Sequence, residues 1–483
     1  MNAPWDAQGQ LDLRGLPRGD GLPWVRAVPG TPYFETDDGA PWTAVGQNDA
    51  VTWPDLRALF RRRDVGAVDR HLAWLRTQGV TCLRLMMEYA QGEHRYLERP
   101  LGRFAPNMVR LWDDLLGLCA RHGLRVQLTP FDTFWMWRRW RHHPYARAQG
   151  GPCARRDEWL VDEGFLNAAR ARLSFATERW GAGGVIWSWD LWNEISPVHM
   201  RGEAWRVPGV IHDLSSHLRA EEMRLHGRAH LQTCSLLAPE FHHHPGLAEP
   251  IFRHPLLDVA TLHMYGAGPL DHPRNTVDPA LRVGEMMREA VREAGLRPCL
   301  DTEHGPVHLF NDRRRTLPET FDDELFRHVQ WAHLASGGVG GGLRWPYRNP
   351  HVLTHGMRRA QASLAGFLPL VDWRRFQRRN LNHEAEVSEP AFARFACGDA
   401  HQAVAWLLRT DTLVHRGRLL SRRARPLPVT LRLPGLRDGG CEVVAWDTEE
   451  GRERGRWIAT AQDGALVVEV PPTSRDVALA VRR

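Results

Sequence analysis

Two glutamates that each close an apolar, strand-like run are the residues in this sequence best suited to chemistry. Glu194 ends the segment 190–194, DLWNE, and Glu303 ends the segment 301–303, DTE. In a parallel α/β barrel, functional side chains collect where the strands end, so two such glutamates share one mouth. One carboxyl group can protonate a leaving oxygen while the other attacks the anomeric carbon or activates water. That pair is what glycoside hydrolysis requires.

Eight short apolar runs alternate with helical patterns and supply the elements that position this pair. The runs cover residues 42–46, 80–86, 124–129, 185–191, 229–234, 257–262, 298–301 and 340–344. Apolar residues at helical spacing span 68–78 and 109–122, and Gly79 and Gly123 follow them where a helix stop is preferred. The alternation predicts an α/β fold, a (β/α)8 TIM barrel. The two glutamates end runs four and seven, so they face each other across the mouth.

The pattern changes at about residue 391 to short alternating runs that turn residues separate. These runs cover residues 391–396, 403–408, 429–433, 442–446, 456–460, 466–470 and 477–481. Regularly spaced short strands predict a small C-terminal all-β sandwich. The predicted organisation is therefore an N-terminal extension at 1–40, the barrel at 41–373, a linker at 374–390 and the sandwich at 391–483.

With these motifs the chain resembles the clan A glycoside hydrolases, whose catalytic carboxylates end strands four and seven. Within the clan it is most similar to the cellulase and β-mannanase-like family 5 group. Asn193-Glu194 matches the acid/base motif of that family, and Glu303 matches its nucleophile motif. The resemblance covers about residues 41–345. It implies that Glu194 is the general acid/base and Glu303 the nucleophile.

The same resemblance assigns five further positions to the substrate and the nucleophile. They are Arg84 at the end of strand two, Asn193 beside the acid/base, His263 and Tyr265 after strand six, and Trp345 after strand eight. A cation beside the nucleophile favours its ionised form. The asparagine is expected on the sugar 2-hydroxyl, where the contact strengthens in the transition state. The indole is expected as a flat floor under the reacting sugar.

The chain departs from the family pattern in two places. Ile195 follows the acid/base, where many members have proline, and the loop after run three lacks a histidine that some members carry. That loop begins with Asp132 and Trp135, and Trp135 is predicted to bind substrate. An alternative interpretation of this loop is a different pocket, with subsites formed by Asp132, Trp135 and Trp137. The long aromatic loop favours a pocket closed on one side, and hence action on chain ends, unless its tryptophans only pack the loop.

Composition and charge narrow the classes of function that fit this chain. The net charge of +6 is small for 483 residues and spread along the chain, so a solvated surface is favoured over nucleic-acid binding. Cysteines are scattered without ligand spacing, and neither a metal nor a cofactor is implied. No stretch is long and apolar enough for a membrane span, and no apolar signal segment is seen at the N-terminus, so a cytoplasmic location is expected.

The sequence therefore predicts a retaining β-glycoside hydrolase that acts on β-linked oligosaccharides by a two-carboxylate double displacement. The alternative from another class is a non-catalytic carbohydrate-binding protein on a degenerate barrel. Carbohydrate is the expected partner in both cases, with no role for nucleic acid or a membrane. The sugar, the linkage and the oligomeric state stay open.

Overall fold

The computed structural model describes residues 21–265, 268–307, 316–414 and 418–483. Its first elements are three short strands, β1 to β3, which form an antiparallel sheet. They span Val25–Ala27, Phe34–Thr36 and Pro41–Trp42. The rings of Phe34 and Trp42 pack against Trp187 at the start of a central strand, with centroids 5.4 and 5.1 Å away. Part of the predicted extension is thus packed on the core, and residues 1–20 lie outside the described residues.

Parallel strands form the centre of the larger part of the chain. Strands β4 to β8 lie side by side in chain order in a five-stranded sheet, and β9 pairs with β10 in a second sheet. Their bounds are Gly46–Asp49, Cys82–Met86, Arg125–Thr129, Ile186–Asp190, Leu231–Thr233, Ala260–His263 and Cys299–Glu303. Every residue in them is buried, as expected for parallel strands covered on both faces. Runs two to seven therefore each coincide with a strand, and β9 and β10 extend one and two residues beyond their runs.

The first strand does not lie where the apolar run placed it. The run 42–46 was predicted, whereas β4 covers Gly46–Asp49 and Trp42 belongs to the antiparallel sheet. The strand carries polar residues because they have partners inside the protein: the Asn48 amide donates to the carbonyls of Thr302 and Leu343 at 2.9 and 3.0 Å. A search for runs of apolar residues does not detect a strand whose buried side chains are polar.

The eighth run, 340–344, is reduced to a single bridging residue. Arg344 forms parallel bridges to His304 after β10 and to Gln47 in β4. Gly340 and Gly342 have φ values of 70° and 76°, which interrupt an extended backbone and are readily adopted only by glycine. The predicted eighth strand is therefore not a regular strand. Its one bridging residue still contacts an edge of each parallel sheet.

Helices connect the parallel strands and cover them. They are α1 to α9, at Val65–Thr77, Pro106–Arg121, Thr133–Arg138, Glu163–Trp180, Val207–His226, Ala238–His243, Asp278–Ala294, Glu319–Ala335 and His355–Phe367. The two helices predicted at 68–78 and 109–122 are confirmed. Gly79 and Gly123, which follow them, have positive φ as a helix stop requires. None of the helices in the described residues is long and apolar enough to cross a membrane.

The C-terminal part consists of antiparallel β-structure. Strands β11 to β21 span Arg379–Asn380, Glu386–Val387, Phe392–Gly398, Gln402–Arg409, Leu413–Val414, Leu419–Leu420, Leu427–Pro434, Gly439–Asp447, Arg452–Ala461, Ala465–Thr473 and Asp476–Arg482. All seven predicted strands of this region are present among them. A six-stranded sheet and a three-stranded sheet share one hydrophobic core, to which Leu407 and Leu431 contribute from opposite sheets.

The segment 374–390, predicted as a linker, is part of this β-structure. Strand β11 pairs with β13 in the larger sheet, and β12 pairs with β17 in the smaller one. Two-residue strands with polar side chains give no apolar pattern, so the sequence does not reveal them. The β-structure also packs on the helices: Arg327 of α8 binds Asp476 at 2.6 Å, and the Trp446 indole donates to Ser363 of α9 at 3.2 Å.

Candidate active site

The two candidate catalytic glutamates follow strands of two different parallel sheets, β7 and β10, which the fold brings together. Glu303 is the last residue of β10, and Glu194 lies four residues beyond β7 with a positive φ of 53°. The backbone of Glu194 is held on both sides: its amide donates to Ser235 Oγ at 3.2 Å, and its carbonyl accepts from Thr133 Oγ1 at 2.9 Å. A non-glycine residue in this conformation is uncommon and is often found at functional sites.

His263 lies between the two carboxyl groups. Its Nδ1 is 2.8 Å from Glu194 Oε1 and 3.8 Å from Glu303 Oε2. One oxygen of each glutamate and one imidazole nitrogen all lie within 4.8 Å of one another. The imidazole is fully buried, whereas the Glu194 side chain is about one-fifth exposed. Glu194 therefore retains access to solvent while Glu303 is enclosed.

Glu303 is held by a hydrogen bond at each oxygen. Arg84 Nη1 donates to Oε2 at 2.8 Å, and the Tyr265 hydroxyl donates to Oε1 at 3.0 Å. Burial raises the pKa of Glu303 above its ordinary value, while His263, Arg84 and the Tyr265 hydrogen bond act in the opposite direction. The nearby charge of Glu194 adds to the effect of burial. The predicted cation is thus present, but burial outweighs it.

Arg84 joins four of the strand ends. Besides Glu303 it donates to Asn48 Oδ1 at 2.9 Å, to Asp190 Oδ2 at 2.7 Å, and to Asn193 Oδ1. Its side chain is completely buried, so each of these acceptors replaces a lost hydration contact. The guanidinium therefore holds the ends of β4, β5, β7 and β10 in a fixed relation.

Asn193 is fixed between Arg84 and a buried acidic residue, Asp132. Its Nδ2 donates to Asp132 Oδ2 at 2.6 Å, and its backbone amide donates to the Phe131 carbonyl at 3.0 Å. Asp132 also begins α3, where its side chain accepts the backbone N–H of Trp135. The amide of Asn193 therefore has a defined direction next to Glu194.

An aromatic cluster borders Glu303. Trp345 packs edge-on against Trp53 with centroids 4.9 Å apart, and Tyr89 lies 5.5 Å from Trp345. Trp135 contacts Tyr89 at 4.5 Å. Tyr265 belongs to the same cluster, which also contains Tyr347. The structure thus brings both predicted tryptophans, Trp345 and Trp135, to one wall beside the carboxyl pair.

All eight residues predicted for the site lie in one connected set of contacts, and the structure adds others that sequence reasoning missed. Asn48 and Asp190 bind Arg84, while Trp53 and Tyr89 complete the aromatic wall. Asp190 is the last residue of β7 and lies three residues before Asn193 in the segment DLWNE, a position that could have identified it. Asn48 and Trp53 gave no signal because the first strand was placed too early.

Two groups of side chains in the described residues have donor atoms close enough for a metal ion. One is Glu194, His263 and Glu303, and the other is Asp49, Asp55 and His71. The first group is the carboxyl pair itself. In the second, burial and Asp55 raise the pKa of Asp49, and the charge of Arg358 opposes them. The positively charged side chain of Arg358 therefore already acts on the second group.

Comparison with known proteins finds similarity at the level of structure. No protein-family model and no curated protein matches the chain. A structure titled glycoside hydrolase has a TM-score of 0.53 at 12% identity, over 97% of this chain and 98% of the other. A family 5 glycoside hydrolase from Bacteroides vulgatus has a TM-score of 0.57 at 11% identity, over 95% and 94%. A family 5 mannosidase from Rhizomucor miehei has 0.52 at 13%, over 73% and 99%. The chain therefore has the fold of glycoside hydrolase family 5 structures, and the predicted resemblance is confirmed at that level.

Proposed function

We propose that this chain is a retaining β-glycoside hydrolase, with Glu194 as general acid/base and Glu303 as nucleophile. The observation that carries the proposal is the carboxyl pair: one oxygen of Glu194 and one oxygen of Glu303 lie within 4.8 Å of each other beside His263. Retaining glycosidases hold their two carboxyl groups about 5–5.5 Å apart, whereas inverting enzymes need about 6.5–9.5 Å to admit a water. The short separation supports attack by Glu303 itself.

The proposal includes a closed (β/α)8 barrel in which the eighth strand is reduced to Arg344. Its single bridges to His304 and Gln47 link the two-stranded parallel sheet to β4, the first strand of the five-stranded sheet. At the opposite junction, the Gln232 carbonyl accepts the amides of Asp258 and Val259 at 2.8 and 3.3 Å. Contacts at both junctions support closure, which places every strand end at one mouth.

The first chemical step forms an ester on the protein. The Glu303 carboxylate attacks the anomeric carbon while Glu194 gives its proton to the glycosidic oxygen, and the leaving alcohol departs. In the second step Glu194 takes a proton from water, whose oxygen attacks the same carbon and releases Glu303. Two inversions restore the original β-configuration. Arg84 and Tyr265 each hold one oxygen of Glu303, so its carboxylate is oriented before the sugar binds.

We further propose that the enzyme removes residues from one end of short β-linked oligosaccharides. The aromatic side chains beside Glu303 are buried against one another, which supports a pocket with one closed wall. A hexasaccharide labelled at one end distinguishes the modes. Steady release of monosaccharide agrees with this proposal, and an early spread of mid-length fragments contradicts it.

A panel of aryl β-glycosides tests the activity, with β-mannosides first because one structural neighbour is titled a mannosidase. We expect hydrolysis of at least one member with the β-anomer as first product. Glu303→Ala is expected to lose several orders of magnitude in kcat, and azide is expected to restore turnover by forming the α-glycosyl azide. Absence of hydrolysis across the panel favours the non-catalytic carbohydrate-binding alternative. Wild-type turnover in Glu303→Ala refutes the nucleophile assignment.

A further inference from the structure

We propose that Asp132 is a positioning residue of this site, and that its single carboxyl group fixes both the Asn193 amide and the helix that carries Trp135. The inference rests on the proposed function, because it gives Asn193 and Trp135 their substrate roles. Asp132 lies at the end of the loop segment that follows β6, on the side of the mouth that contains Glu194. It is 1% exposed, so its role is to orient the residues that bind the sugar.

The two oxygens of Asp132 serve two different elements. Oδ2 accepts from Asn193 Nδ2 at 2.6 Å, and Oδ1 accepts from the backbone amide of Trp135. The second contact caps the N-terminus of α3, where an aspartate stabilises the helix. One side chain therefore couples the direction of the Asn193 amide to the position of the aromatic wall.

The partners of Asn193 leave only one direction for its amide. Arg84 carries only hydrogen-bond donors, so Asn193 Oδ1 must face it, and Asn193 Nδ2 then faces Asp132 Oδ2 as a donor. One N–H of Nδ2 then remains for the substrate. We infer that this N–H is directed at the sugar 2-hydroxyl and that Asp132 keeps it there.

A helix cap alone does not explain a carboxylate at this position. Burial raises the pKa of Asp132 well above its ordinary value, and the charges of Glu194 and Glu303 raise it further, against the hydrogen bonds from Trp135 and Asn193. A serine caps a helix about as well without placing a third carboxyl group near the catalytic pair. The second oxygen, and its bond to Asn193, is the feature that only the longer acidic side chain supplies.

The Asp132→Ser variant separates the two contacts. Serine keeps a cap for α3 but is too short to reach Asn193 Nδ2, so we expect an unchanged unfolding temperature and a loss in kcat/KM of about 100-fold on the aryl β-glycoside that the wild type prefers. The loss is expected to shrink strongly on the 2-deoxy analogue. Asp162→Ser is the matched control, because Asp162 caps α4 by accepting from Phe165 N at 2.9 Å and is expected to leave kcat/KM unchanged.

A double-mutant cycle gives the second readout. In an Asn193→Ala background, Asp132→Ser is expected to cause almost no further loss, because the contact through which it acts is absent. Three outcomes overturn the inference. The losses of the two single variants multiply in the double variant, or Asp132→Ser loses equally on the normal and the 2-deoxy substrate, or Asp132→Ser keeps wild-type activity. Wild-type turnover on the panel is measured in parallel. Its absence overturns the proposed function, whereas an active wild type with an unaffected Asp132→Ser overturns only the role of Asp132.

Discussion

Replacing Tyr265 by phenylalanine removes one hydroxyl from the candidate active site and keeps the ring that packs there. The hydroxyl donates to Glu303 Oε1 at 3.0 Å within a buried aromatic cluster. This hydrogen bond favours the charged carboxylate and so opposes the rise in the pKa of Glu303 that burial causes. Without the bond, the pKa of Glu303 rises further, and a smaller fraction of the nucleophile is ionised at acidic pH.

The size of the effect follows from the kind of hydrogen bond that is lost. A hydrogen bond to a charged group contributes about 1.5–3 kcal/mol, which corresponds to about 10- to 150-fold in a rate or equilibrium. We therefore expect kcat/KM of Tyr265→Phe to fall by that factor on the acidic side of the profile, with the acidic limb moved to higher pH. Above the limb the loss is smaller, because Glu303 is ionised in both proteins.

The assay is a pH profile of kcat/KM on an activated aryl β-glycoside. Tyr145→Phe is the matched control, because the Tyr145 hydroxyl also donates to a buried glutamate, Glu98, at 3.0 Å, outside the contacts of the carboxyl pair. It is expected to change stability without moving the acidic limb. An unshifted limb with wild-type kcat/KM in Tyr265→Phe refutes the argument, as does an equal shift in both variants.

Three further outcomes are expected. Glu194→Ala should slow substrates with poor leaving groups far more than activated aryl glycosides, since only the former need a proton in the first step; equal losses count against the acid role. Arg327→Met should lower the free energy of unfolding by about 3–5 kcal/mol in a denaturant titration, because it leaves Asp476 buried without its cation. The exposed pair of Arg432 with Glu386 provides the control, with an expected change below about 1 kcal/mol for Arg432→Met. In the wild type, burial raises the pKa of Asp476, but Arg327 and the other partners of the carboxylate lower it by more, so the pKa is below its ordinary value. The stability that this pair contributes should therefore be lost as pH falls. A free energy of unfolding that does not change at acidic pH contradicts this.

Local sequence patterns were sufficient to predict the strands and helix ends whose pattern of apolar residues or glycine lies within a few residues. Alternating apolar residues predicted all seven longer strands of the C-terminal β-structure, because each buries one face on a shared core. The helix stops at Gly79 and Gly123 were predictable because only glycine adopts positive φ readily. The spacing of Glu194 and Glu303 was informative because repeated βα units return each strand end to the same edge.

Patterns of apolar residues failed where a buried element is polar or very short. The strand Gly46–Asp49 is polar and was placed too early, since the two carbonyls that accept from the Asn48 amide lie more than 250 residues away. The strands inside 374–390 have two residues each and were taken for a linker. The eighth run was predicted as a strand from its place in the βα alternation, but Gly340 and Gly342 interrupt its backbone. In each case, long-range contacts or backbone dihedrals decided the outcome.

The sequence by itself determined which side chains are available for chemistry: two glutamates at strand ends, an arginine, an asparagine, a tyrosine and the tryptophans. Only the tertiary structure decided how they combine. It brought one oxygen of each carboxyl group within 4.8 Å of the other, enclosed Glu303 while leaving Glu194 partly exposed, and placed Asp132 against Asn193. The physical reason is that burial and hydrogen-bond direction depend on neighbours from separate βα units, and these neighbours set the charge and orientation of each group.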